Sequence, residues 1–341
     1  MGSVKDLRVM KQAKDNESGV GQFYFSDRYS VFDWGEMPDL IKDKGKALCI
    51  LGAFFFEKLE SLGIKTHYQG IVQDNQVKHL ADLQKPADTM QVILVNVIKP
   101  GMSGNNYDYS LYTSQARNFL IPLEVIYRNA LPEGSSVFKR LKNGGLTLQE
   151  LGLKEMPSPD DVLGEPILDV STKLEVTDRY LSWDEAQKIS ALNDEELFRL
   201  KETTLAINKM ISEYVEKVDL KNEDGKVEYA FDQNRNLMLV DVLGTPDECR
   251  FTFSGIPVSK EVARIYYRST PWFTAIEQAK QKDRTNWKQI ISTPPPSLPK
   301  RLYELISQLY QSVCNEVTQR EWFSTPQLKT ILYEIKEQIK L

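Results

Sequence analysis

Apolar residues recur at three- and four-residue steps through Leu48, Leu51, Phe55, Leu59 and Leu62, which predicts a helix over residues 45–62 with one face in a core. Residues 20–25 ahead of it and 92–98 behind it are rich in β-forming side chains and read as strands. The chain therefore opens strand, helix, strand. Residues 99–118 hold Pro100, Gly101, Gly104 and two adjacent asparagines without a sustained period, as expected of a loop inserted between strands. The next strand covers 121–127, and in the RNALPEGSS segment after it Pro132 and Gly134 break regular structure and present Ser135 and Ser136.

Further on, Ser182 and Glu185 stand at capping-box spacing ahead of one helix. Asp194 is placed to cap a longer one carrying Leu197, Leu200, Ile207, Ile211 and Val218. Residues 227–231 and 237–242 form a strand pair across the polar turn DQNRN. After TPPPS at 293–297 comes a helix with Leu302, Leu305, Ile306, Leu309 and Val313 on one face. A last helix has Thr325 as N-cap, Pro326 in its first turn, and Leu328, Ile331, Leu332, Ile335 and Ile339 inward. Strands joined by short turns favour an α+β fold with mainly antiparallel sheets over a doubly wound parallel one.

Composition narrows the chemistry. Three cysteines far apart give no disulfide framework or zinc knuckle, and two histidines are too few for a His-rich metal site. Any catalysis has to rest on Lys, Arg and carboxylates. A net charge of −5 argues against coating nucleic acid or an anionic membrane, and the longest apolar runs, 50–56 and 92–98, are far shorter than the ~20 residues of a membrane span. The expectation is a soluble, cytoplasmic chain whose partners are small molecules or proteins, with the oligomeric state, a homo-oligomer included, left open.

Residues 26–33, SDRYSVFD, put two serine hydroxyls, a tyrosine, two carboxylates and a guanidinium into one strand end. This octet, followed by Lys44 and Gly45, resembles the signature of the SAICAR synthetase family. Members use ATP and magnesium to join L-aspartate to the carboxylate of carboxyaminoimidazole ribotide. The resemblance implies a two-lobed fold: a nucleotide-binding lobe over 1–98, a larger substrate- and metal-binding lobe over 99–292, a C-terminal helical segment over 293–341, and ATP in the cleft between lobes.

Further motifs follow in the family's order. Gly2-Ser3-Val4-Lys5-Asp6 resembles its N-terminal phosphate loop, with Ser3 where Lys is usual, and so implies ATP contacts from Gly2, Ser3 and Lys5. Arg128 and Ser136 match the residues that hold the ribotide phosphate, for which a guanidinium fork is well suited. Asp224-x-Lys226-x-Glu228, Asp241 and Thr245-Pro246-Asp247-x-x-Arg250 resemble the family's carboxylate motifs. They imply catalytic roles for Lys226 and Asp224 beside Lys5, an ATP contact from Lys226, magnesium on Glu228 and Asp241, and substrate contacts from Asp247 and Arg250. Alternate strand residues share a face, so Lys226 and Glu228 point into one cleft. NEDGK at 222–226 is equally a hairpin-turn sequence, which leaves Asp224 open as a turn residue.

By the same resemblance Ser30 and Asp33 join the substrate site, Lys173 and Asp178 lie near the amino-acid site, and Arg268 is another phosphate ligand. His67 and His79 match no family ligand. Residues 99–118 and 326–341 depart from the compact family pattern. Because phosphate chemistry does not fix the acceptor, a related ATP-dependent ligase or kinase acting on a different phosphorylated acceptor is the rival reading.

Overall fold

Two antiparallel sheets carry the chain, and the edges where they meet are joined by backbone hydrogen bonds. The computed structural model describes residues 5–340 except 105, 160, 284 and 285, so Gly2 and Ser3 lie outside the described residues. The first sheet comprises β1 (Lys5–Lys11), β2 (Gly19–Phe25), β3 (Tyr68–Gln73), β4 (Gln76–Lys78) and β5 (Thr89–Leu94), in the order β1-β2-β5-β3-β4. Between β2 and β3 runs α1 (Lys44–Ser61). The periodicity marks this helix within a residue, but it is buried on almost every side because it lies between the first sheet and a C-terminal helix. Leu62 falls just past its end and is exposed.

Residues 99–118 are not the plain loop expected. Gly101–Ser103 (β6) and Asn106–Asp108 (β7) pair as a small hairpin, Gly104 supplying positive φ at the turn. The second sheet follows: β8 (Phe119–Ala130), then α2 (Ser136–Lys142), β9 (Val162–Thr172), α3 (Trp183–Ser190), α4 (Asp194–Glu216), β10 (Lys221–Phe231), β11 (Leu237–Val240), β12 (Cys249–Phe253) and β13 (Ile256–Pro257). Its order is β13-β12-β10-β8-β9, with β11 beside the far half of β10. Helices α5 (Glu261–Arg268), α6 (Pro271–Lys282), α7 (Trp287–Ile290), α8 (Lys300–Thr318) and α9 (Leu328–Ile339) complete the chain.

Several local expectations change. NEDGK is not a turn: it opens β10, paired to β8 on one side and β12 on the other, so tertiary hydrogen bonding overrides the turn preference of Asn, Asp and Gly. Gly225 is required there for space, since a Cβ would stand 2.2 Å from the Tyr127 hydroxyl. The cap of α4 is Asn193, reciprocated by Glu196, one residue before the expected Asp194. Before α9 the cap position is Gln327 rather than Thr325, and Pro326 precedes the helix. Ser182 caps α3 as expected, accepting from the Glu185 backbone N–H at 3.2 Å. The strand read at 92–98 stops at Leu94, where the chain turns toward the second sheet.

That turn is where the sheets join. Asn96 bridges Phe119 and Thr66 bridges Leu239, both in parallel sense, and the His67 N–H donates to the Leu239 carbonyl at 2.9 Å. The chain after β5 is thereby laid beside the start of β8, and the approach to β3 beside β11. No helix among the described residues is long and apolar enough to cross a membrane.

Candidate active site

A cavity of about 550 Å³ opens where the two sheets meet. Its cations are Lys5 from β1, Lys173 just after β9, Lys226 from β10, and Lys260 and Arg264 at the start of α5. Its acids are Asp33, Glu228, Asp241, Asp247 and Glu248, and Tyr29, Ser30 and Phe32 line one wall.

The SDRYSVFD segment divides its labour. The Asp27 carboxylate accepts from the backbone N–H groups of Gly45 at 2.9 Å and Asp43 at 3.2 Å, placing an anion at the N-terminus of α1. Arg28 pairs with Asp6 at 2.7 Å, tying the segment to β1. Tyr29 shares a hydrogen bond with the Tyr267 hydroxyl at 2.9 Å. Ser30 then faces the cavity, and Asp33, at φ 63°, holds its carboxylate in solvent 3.7 Å from Lys280.

On β10 the pleat places Lys226 and Glu228 on one face, as expected, with 2.7 Å between Nζ and Oε1. Glu228 lies opposite Glu124 of β8, a like-charge pair that two lysines compensate. Lys173 and Lys226 each donate to Glu228 at 2.7 Å and to Glu124 at 3.1 and 3.0 Å. Burial opposes the charge on both lysines, yet Glu228 and its neighbouring carboxylates outweigh it and hold each above the ordinary lysine range. Both stay protonated at neutral pH and cannot serve as bases.

Asp241 follows β11 in a left-handed conformation, φ 64°, which an aspartate tolerates at a small cost. Its carbonyl accepts from His67 Nε2 at 2.9 Å, and its carboxylate pairs with Lys5. Burial would raise this carboxyl, but Lys5 and Lys226 keep it well below the usual range. Burial, and then the charge of Asp241, push Glu228 upward. Among the described residues no group of three or more His, Cys, Asp or Glu is arranged to hold a metal. Glu228 and Asp241 nonetheless form a repelling pair of hard oxygen donors in one cavity, which suits magnesium's need for one or two protein carboxylates.

A second cluster begins two residues earlier on β10. Asp224 Oδ2 stands 3.5 Å from Arg128 and 3.2 Å from Arg250, and burial raises its pKa against these two guanidiniums. Arg128 also pairs with Asp169 at 3.1 Å and reaches the Ser136 hydroxyl at 3.4 Å. Arg128, Ser136 and Arg250 are thus brought together, with Asp224 between the guanidiniums. Arg140 adds a third guanidinium, 2.6 Å from Asp169 and 3.9 Å from the Tyr180 ring centre.

Other expected residues stand further off. Asp178 is exposed, its pKa raised by partial desolvation and then by Glu124. Arg268 pairs with Glu261 at 2.7 Å, while Arg264, one turn earlier, lines the cavity. Sequence reasoning passed over Glu124, Glu248, Lys260 and Arg264. Glu124 had a readable signal, as the one charge inside an apolar strand, and Lys260 and Arg264 share a helix face four residues apart.

A cleft between antiparallel sheets, lined by lysines and paired carboxylates with a guanidinium cluster beside it, defines an α+β protein with a charged small-molecule site. The family model described as SAICAR synthetase matches residues 10–270. The chain belongs to the SAICAR synthetase family, ligases of purine biosynthesis.

A protein of Archaeoglobus fulgidus, provisionally named phosphoribosylaminoimidazole-succinocarboxamide synthase, is 49% identical over 337 residues, 99% of each chain. The phosphoribosylaminoimidazole-succinocarboxamide synthase of Thermoplasma acidophilum is 32% identical over 328 residues, 94% of this chain and 98% of its own. Among solved structures, the SAICAR synthase of Saccharomyces cerevisiae complexed with SAICAR shares the fold at a TM-score of 0.64, with 20% identity and 95% of each chain covered. A SAICAR synthetase in complex with ADP does so at 0.55, with 22% identity, over 87% of this chain and 99% of its own.

Proposed function

We propose that this chain joins L-aspartate to the carboxylate of carboxyaminoimidazole ribotide, with ATP and magnesium, through an acyl phosphate. The observation that carries the reading is the placement of Lys5, Lys226, Glu228 and Asp241 in one cavity, with Arg128, Ser136 and Arg250 gathered around Asp224, two residues before Lys226 on β10. An amide does not form from a carboxylate and an amine unaided at neutral pH. A carboxylate oxygen first takes the γ-phosphoryl group as ADP leaves, and the aspartate amine then attacks the acyl carbon, expelling phosphate and losing a proton.

The chain's share is positioning and charge. Lys5 and Lys226, both fixed as ammonium ions, offset phosphate charge, Gly2 and Ser3 adding contacts ahead of Lys5. Glu228 and Asp241 would hold magnesium, which when bound would supply positive charge beside the phosphate oxygens. Arg128, Ser136 and Arg250 grip the ribotide phosphate, with Asp224 setting the spacing of the two guanidiniums. Ser30, Asp33 and Asp247 border the acceptor, Lys173 and Asp178 the amino acid, and Arg268 reaches a phosphate only by leaving Glu261. The division into a nucleotide lobe to residue 98, a substrate lobe to 292 and a helical tail belongs to the same proposal, as does a cytoplasmic setting.

The test is direct: protein, ATP, magnesium, L-aspartate and carboxyaminoimidazole ribotide are incubated and separated by chromatography with mass detection. ADP and the succinocarboxamide should appear in equal amounts, and neither the product nor sustained ADP release should appear without ribotide. ADP formation with a different phosphorylated acceptor alone would overturn the reading.

A further inference from the structure

Asp247 lines the cavity, but both of its oxygens are already taken. Oδ2 accepts from Lys44 Nζ at 2.7 Å and Oδ1 from the Tyr310 hydroxyl at 2.8 Å. Lys44 and Tyr310 are buried, the Lys44 ammonium lying 5.3 Å from the Tyr310 ring centre. Burial would raise the Asp247 carboxyl, yet Lys44, Lys260 and the Tyr310 hydroxyl hold it down to about 2. Tyr310 stands on α8, past residue 270 where the family match ends.

We propose that Tyr310 is a positioning residue for the acceptor side of the cleft, acting through Asp247. The inference rests on the reading that Arg250 grips the ribotide phosphate. Asp247 sits in a tight turn in which the backbone N–H groups of Glu248 and Cys249 both donate to the Thr245 carbonyl, at 3.0 and 2.8 Å. That turn carries the cleft residues on either side. The Glu248 carbonyl accepts from the Lys226 backbone N–H at 3.2 Å, and Arg250 pairs with Asp224.

The turn is anchored to α8 through Tyr310 and to α1 through Lys44. Helix α8 is itself fixed, since Ser307, one turn before Tyr310, donates to the Lys42 carbonyl at 2.8 Å. Removing the hydroxyl leaves a buried carboxylate oxygen short of a donor, and the turn shifts to recover one. Arg250 moves with it, whereas Lys226 is also held by its pairing with β8, and Lys5 and Asp241 are held by each other and by His67.

The experiment uses Tyr310→Phe in the full chain, with calorimetric titrations of carboxyaminoimidazole ribotide and, separately, of ATP with magnesium, plus a thermal melt. Ribotide affinity should fall roughly five- to tenfold, less than the roughly ten- to hundredfold of a charge-assisted bond made directly to the ligand, because Tyr310 acts one residue removed, with ATP affinity within about twofold. Tyr303→Phe, on the same helix, should change neither. A Tyr310→Phe variant that melts lower but binds ribotide as the unaltered chain does, or that loses both ligands equally, overturns the inference. Failure of the unaltered chain to bind ribotide overturns the reading beneath it, and the inference with it.

Discussion

Lys44 and Asp247, 203 positions apart, form an ion pair closed off from water, with 2.7 Å between Nζ and Oδ2. A buried pair adds little over an apolar one, but removing one partner strands the other charge and costs ~3 to 5 kcal/mol. Asp247→Asn should therefore lower stability by about that much at pH 7. Its depressed pKa fixes the pH dependence: the contribution is complete above the unfolded value of about 3.9 and is lost as pH falls toward 2. The gap between the two proteins in urea unfolding should hold from pH 7 to about 4 and narrow below it. A gap under about 1 kcal/mol at pH 7 would show that the pair is dispensable.

Glu228→Gln and Asp241→Asn each remove an anionic oxygen with little change of shape. Turnover should fall at least about a hundredfold in each, with far-UV circular dichroism unchanged. Glu228→Gln should also loosen Lys173 and Lys226, which share its Oε1, so its loss should not be recovered by raising magnesium. Near-normal activity of either variant across magnesium concentrations removes that residue from the metal site.

The elements legible in the sequence are those where local pattern and tertiary need agree. The apolar repeat through Leu48, Leu51, Phe55 and Leu59 is both a good helix and a buried one, and the 227–231 and 237–242 pair is a hairpin by its own composition. Residues 222–226 were ambiguous for a physical reason. Asn, Asp and Gly favour turns in isolation, and only the strands on both sides, with partners for Asn222 and Asp224, make them a central strand. The site divides the same way. Lys226 and Glu228 are two apart on one strand, so their common face follows from the pleat. The Tyr310 contact with Asp247 joins distant segments, and no spacing rule announces it.

Gly45 shows how a signature residue can be structural. A Cβ at this position would lie 2.2 Å from the Phe25 carbonyl oxygen, a backbone atom that cannot swing aside. Gly45→Ala must push α1 away from β2 and disturb the Asp27 contacts at its first turn. The expected cost is about 3 kcal/mol or more, measured by urea unfolding, against the ~1 kcal/mol gain of the same change in an unobstructed helix. A neutral or stabilised variant would mean that the α1 start is looser than the geometry indicates.

The two anion sites should separate by mutation. Arg250 is partly open and paired with Asp224, whereas Arg128 is buried between Asp169 and Asp224. Arg250→Ala is therefore the cleaner probe of the ribotide site, because Arg128→Ala also strands buried carboxylates and will lower stability. A charge-assisted bond to phosphate contributes on the order of 1.5 to 3 kcal/mol, so Arg250→Ala should weaken ribotide roughly ten- to a hundredfold with little change for ATP. Lys5→Ala should do the reverse, since Lys5 stands on β1 beside Asp241 and away from the guanidinium cluster. Calorimetry of both variants with both ligands supplies four affinities. If Arg250→Ala weakens ATP and spares the ribotide, the two phosphate sites are exchanged, and the identification of the acceptor loses its main support.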